Sequence, residues 1–88
     1  MTWLEAADWP EERPGDRFAA LVESPGILRI PGAHNAMAGL LAQKQGFECL
    51  YISGAAITAS LGIPDVGILS LDELCFFTRT IYRATRLP

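Results

Sequence analysis

Two short apolar runs with a helical stretch between them set most of what this chain can fold into. Ile27-Leu28-Arg29-Ile30 and Cys49-Leu50-Tyr51-Ile52 carry the β-branched and aromatic residues of strands. Pro31-Gly32 stops the first run. Asn35 then opens a helix of about ten residues in which Met37, Leu40, Leu41 and Lys44 recur at helical spacing, with Met37, Leu40 and Leu41 forming its core stripe. Gly46 is a natural residue to end it. Strand, crossover helix and second strand imply parallel pairing with a right-handed connection. The second run is apolar on both faces, as strands covered on both sides are.

The flanks complete the order. Asp16 can cap a short helix over Arg17–Glu23, which Ser24-Pro25-Gly26 ends. Before it, residues 1–15 read as an irregular acidic arm holding Trp3 and Trp9, whose indoles dock on something. Ser70-Leu71-Asp72-Glu73 is a capping box. The helix it starts places Leu71, Leu74, Cys75, Thr78, Ile81, Tyr82 and Thr85 on one face. Arg79 and Arg83 read as a solvated face of that helix or a subunit contact. Leu87-Pro88 stands on the doorstep of a third strand.

Two parallel strands and three helices cannot cover a two-sided sheet. The expectation is therefore an N-terminal portion of a larger α/β protein, either a (β/α)8 barrel or a doubly wound sheet. Residues 16–88 form its partial domain, cut before the third strand. With 88 residues, half of them apolar and 19% charged, the chain is one small folded unit and not a disordered tail.

Charge narrows the partners. The net charge is −3, with no basic stripe and no arginine–aromatic interleaving, which argues against nucleic acid. No apolar run reaches the roughly 20 residues of a membrane span, and the N-terminus has charges where a signal peptide needs an apolar core. Cys49 and Cys75 form no C-x-x-C pair and lie far from His34, the one histidine. They read as buried reduced thiols, which fits a cytoplasmic protein.

Function concentrates in Tyr51–Asp65. Ser53, Gly54, Ala55 and Ala56 have almost no side-chain bulk, so their backbone N–H groups can approach an anion closely. The same residues also suit a tight turn that opens a helix. Asp65 is the one acidic residue between Glu48 and Asp72. Neither G-x-G-x-x-G nor G-x-x-x-x-G-K occurs, which weakens the case for a nucleotide-binding doubly wound sheet.

Three ordered motifs, I-P-G-A-H-N-A-M-A-G-L-L-A (Ile30–Ala42), Y-I-S-G-A-A (Tyr51–Ala56) and A-S-L-G-I-P-D-V-G (Ala59–Gly67), resemble the isocitrate lyase / phosphoenolpyruvate mutase superfamily. The resemblance runs from about Arg17 to Pro88 and is nearest to the branch that cleaves 2-methylisocitrate. It implies a (β/α)8 TIM barrel with substrate and Mg²⁺ at the carboxyl ends of the strands. The implied reaction is a retro-aldol cleavage to pyruvate and succinate in propionate breakdown (the methylcitrate cycle). The developing enolate is stabilised by Mg²⁺ and backbone N–H groups.

By the same resemblance, Ser53, Gly54 and Ala55 hold the pyruvate carboxylate and Tyr51 lines the rim of that site. Asp65 matches a loop aspartate that orders the metal's waters. The Mg²⁺ ligands and the catalytic cysteine loop are expected beyond Pro88, so no catalytic residue or direct metal ligand falls within these residues, and the segment alone should be inactive. The implied partners are a small carboxylate substrate and three further copies in a homotetramer. Alternatives are a phosphoenolpyruvate or carboxyphosphonoenolpyruvate mutase, an oxaloacetate decarboxylase, or a non-catalytic truncated assembly element. His34, in the loop after the first strand, is expected to hydrogen-bond that loop or cap the next helix rather than act in catalysis.

Overall fold

The computed structural model describes residues 11–88; Trp3, Trp9 and their docking lie outside the described residues. Four helices and one parallel pair of strands follow in the order α1 (Pro14–Glu23), β1 (Gly32–Ala33), α2 (Ala36–Lys44), β2 (Tyr51–Ile52), α3 (Gly54–Ser60) and α4 (Leu71–Thr85). The parallel pairing inferred from the strand–helix–strand spacing is present, with Gly32 opposite Tyr51 and Ala33 opposite Ile52.

The first strand lies later than expected. Ile27–Ile30 forms no ladder, and pairing begins only beyond the proline. Pro31 has no N–H to donate, yet its carbonyl accepts from the Tyr51 N–H at 2.9 Å. Proline therefore opens this ladder instead of stopping it. On the other side of β2, the Leu50 N–H donates to the Pro88 carbonyl at 2.8 Å. The Leu87-Pro88 segment thus lies where a third strand would begin.

Helix α1 also starts earlier than Asp16 would set it. Pro14 takes the first helical turn, where a missing N–H costs nothing, and Arg13 is the N-cap. Asp16 lies inside the first turn of the helix and is not its cap. The helix is tied down by Arg17, whose guanidinium donates to the Arg86 carbonyl and lies 3.4 Å from the Tyr82 hydroxyl.

Helix α2 is capped as the sequence implies. The Asn35 side chain accepts from the Ala38 N–H at 2.8 Å, and Gly46 takes the left-handed backbone (φ +93°) beyond its end. Its buried face is different from the expected one. Met37 and Leu41 are each 57% exposed, while Gly39 and Ala42 are buried. The reason is the closeness of α4. A Cβ on Gly39 would stand 3.2 Å from methyl groups of both Ile81 and Thr85, and 3.3 Å from Leu50 Cδ1. Only small residues fit that seam, so the larger ones turn outward.

In α4 the capping box is complete: Ser70 Oγ accepts from the Glu73 N–H, and the Glu73 carboxylate accepts from the Ser70 N–H. The Ser70 N–H, with the Ser70 hydroxyl, holds the Glu73 carboxyl below its ordinary titration range. The expected apolar face divides in two. Ile81 and Thr85 are buried with Ala84, whereas Leu71, Cys75 and Thr78 are exposed. Cys75 is therefore not a buried thiol. Cys49 is fully buried, and burial, helped by the adjacent Glu48 carboxylate, pushes its thiol upward. Arg79 and Arg83 are exposed, as a solvated face requires.

Candidate functional site

The segment after β2 is a helix where a loop was expected. Ser53 is the N-cap of α3: its hydroxyl accepts from the Ala56 N–H at 3.2 Å, and its carbonyl accepts from the Ile57 N–H at 3.0 Å. Buried Ile57 and Thr58 anchor the helix beneath. Thr58 and Ser60 hydroxyls donate back to the carbonyls of Ala55 and Ile57, at 3.0 and 2.7 Å. The turn past the helix closes when the Ile63 N–H reaches the Thr58 carbonyl at 3.0 Å. The opening of a helix at Ser53 was legible in S-G-A-A, because serine caps and alanine propagates.

This rearrangement keeps what the segment needs for an anion. The N–H groups of Gly54 and Ala55 precede the first intrahelical bond and so lack helical partners. The first turn of α3 holds no acidic residue to oppose a bound carboxylate. Gly54 is half-buried and Ala55 exposed, so the first turn of α3 lies at the surface at the end of β2. Ser53 is committed as an acceptor to the cap, and its O–H proton remains available to donate.

Tyr51 stands next to this turn, 60% exposed, on the sheet face opposite Leu50 and Ile52. Leu50 and Ile52 instead line an apolar cleft of about 250 Å³ with Ile81, Tyr82 and Pro88. That cleft contains none of Tyr51, Ser53, Gly54, Ala55 and Asp65.

Tyr51 and Ser53–Ala55 are brought together; Asp65 is not brought to them. It is exposed in the turn after α3, where the Val66 N–H bonds the Pro64 carbonyl at 3.0 Å, and it makes no hydrogen bond among the described residues. His34 is half-buried just past β1 and makes none either among the described residues, so the expected loop bond or cap is absent there. Asn35 supplies the cap instead. Among the described residues no group of three or more His, Cys, Asp and Glu side chains converges to hold a metal ion.

A profile of the phosphoenolpyruvate phosphomutase family matches residues 18–88. The chain belongs to that family. Relatives agree with the assignment: 2-methylisocitrate lyases from Halalkalibacterium halodurans and Bacillus subtilis are 46% and 44% identical over all 88 residues. A third, from Aeropyrum pernix, is 49% identical over 79 residues, or 90% of the chain. The chain spans 29% of the first two relatives and 26% of the third. Two solved structures share its fold. A phosphoenolpyruvate phosphomutase from Streptomyces platensis subsp. rosaceus matches 86% of this chain and 26% of its own (TM-score 0.81, 37% identity). A phosphonopyruvate hydrolase in complex with oxalate and Mg²⁺ matches 88% and 27% (TM-score 0.80, 27% identity).

Proposed function

We propose that the protein carrying this chain is a Mg²⁺-dependent carbon–carbon lyase that cleaves 2-methylisocitrate to pyruvate and succinate in propionate breakdown. The observation that carries this reading is the pairing of 44–49% identity to such lyases with an uncommitted amide turn, Ser53–Ala55, at the end of β2. In this reading β1, α2, β2 and α4 are the first two strand–helix units of a (β/α)8 barrel. The remaining strands and helices then cover side chains such as Ile27, which is 94% exposed here.

The residues present have defined tasks. The Gly54 and Ala55 N–H groups bind and orient the carboxylate of the α-keto acid product, and Ser53 positions them through its cap. Tyr51 forms the wall beside that carboxylate. Asp65, exposed and uncommitted, orders water. The described residues do not by themselves make a Mg²⁺ site, so the reading places the ligands and the catalytic acid in sequence beyond Pro88. A cytoplasmic homotetramer is part of the same reading.

The test is pyruvate release from 2-methylisocitrate by the whole protein, with Mg²⁺ and after chelation. Metal-dependent turnover is expected, and none from the isolated 88 residues. The likeness to the phosphomutase and the phosphonopyruvate hydrolase favours one second reading, chemistry at a P–C bond next to a keto acid. Turnover of phosphonopyruvate with no turnover of 2-methylisocitrate would select it.

A further inference from the structure

We infer that Gly32 sets the room available for the branched part of the substrate, and so acts as a specificity-determining position. The inference rests on the lyase reading and adds to it a residue on the neighbouring strand. Gly32 is the register partner of Tyr51, and parallel partners project to the same side of a sheet. Its neighbour Ala33, projecting to the other side, is fully buried, while Gly32 and Tyr51 are both exposed. Position 32 therefore faces the space that Tyr51 faces.

Its nearest neighbour ties it to the carboxylate turn. A Cβ on Gly32 meets a single group within 4 Å, the Ser53 Cβ at 3.7 Å, which is ordinary van der Waals contact. Nothing in the packing of the described residues requires glycine there. Gly39 is glycine because α4 and Leu50 crowd it, and Gly46 because its φ is positive; neither applies to Gly32. What the missing side chain leaves, among the described residues, is room on the sheet face that carries Tyr51 and Ser53. A two-carbon dicarboxylate held at Ser53–Ala55 does not need that volume. A branched tricarboxylate extending from the same anchor does.

The experiment uses the whole protein and compares wild type with Gly32→Ala and Gly32→Leu. The readouts are KM and kcat for 2-methylisocitrate, inhibition by oxalate with Mg²⁺ present, and the thermal midpoint. Gly32→Leu is expected to raise KM for 2-methylisocitrate by about tenfold or more, the scale at which added methylenes discriminate in a pocket. Oxalate inhibition should change by less than about threefold, because the amide turn is untouched. Gly32→Ala, whose Cβ has room, should fold as wild type does and show a smaller shift in the same direction, which keeps the test valid if the leucine variant fails to fold.

An unchanged KM in both variants overturns the inference and leaves the lyase reading standing. Equal weakening of oxalate and substrate also overturns it, since the damage would then lie in the carboxylate turn. Wild-type protein that binds oxalate but turns over no 2-methylisocitrate overturns the lyase reading, and the inference falls with it.

Discussion

The α2–α4 seam and the α3 turn are both built from small residues, and they use smallness for opposite ends. At the seam, Gly39 and Ala42 let two helices approach until Ile81 and Thr85 touch the backbone of the facing helix. Gln43 adds a bond from its side-chain amide to the Thr85 carbonyl at 2.8 Å. In the turn, Gly54 and Ala55 are small with no helix pressed against them, and the turn stays at the surface. Absence of a side chain makes a tight contact in one place and leaves backbone open in the other. What separates the two is whether the volume is filled.

The sharpest way to break this comparison is to empty the filled volume. Ile81 is 2% exposed, and Ile81→Ala should cost about 3 kcal/mol, from lost burial and the cavity left behind. Denaturant unfolding measures it; a cost below about 1 kcal/mol would mean that the seam is not tight. Filling the seam is the converse. Gly39→Val should destabilise by about 2 kcal/mol by overpacking, whereas Gly54→Ala, with nothing within 4 Å of its Cβ, should leave the midpoint nearly unchanged.

The two serine caps sharpen the contrast between support and site. Ser70→Ala and Ser53→Ala should each cost about 1 kcal/mol of stability. On the lyase proposal, in which the Ser53 cap positions the amides at the carboxylate, only Ser53→Ala should also lower kcat/KM. Equal activity in the two variants would detach the α3 turn from function.

The smallest effect is a pH effect. The Glu73 carboxyl is held below its ordinary range by the Ser70 N–H and hydroxyl, so the folded state binds its proton less readily than the unfolded chain. The stabilisation from the cap is fully present above the ordinary carboxylate pKa of about 4.3 and is lost as pH falls through the lower folded value. Glu73→Gln should flatten the acid limb of the stability profile below that pH. An identical limb in the variant would show that the box contributes nothing there.

Much of the scaffold was legible because local chemistry dictates it. Asn35 and Ser70 are caps in whatever fold contains them, since a short side-chain acceptor satisfies orphan N–H groups within one turn. The strand–helix–strand spacing forces parallel pairing. The motifs Ile30–Ala42, Tyr51–Ala56 and Ala59–Gly67 carried the family. Misplaced elements are those in which a local signal competes with a partner. Pro31 reads as a stop until Tyr51 donates to its carbonyl. The Met37-Leu40-Leu41 stripe reads as core until α4 arrives, too close for anything larger than Gly39 and Ala42. Cys75 reads as buried on a periodic face that α2 covers only at its far end.

The candidate site divides in the same way. The sequence by itself determined that Tyr51 and Ser53–Ala55 sit together at a strand end, because they are neighbours in the chain and bulk is encoded residue by residue. It also determined that Asp65 follows on a Pro-Asp turn. It offered, too, a helix opening at Ser53, which the structure shows capped by that serine. Only the tertiary structure decided that Asp65 stands apart from the amides and that Gly32 faces Tyr51 across the ladder. Those two facts depend on strand register and on which volumes neighbouring elements fill, and neither quantity is written in any single stretch of the chain.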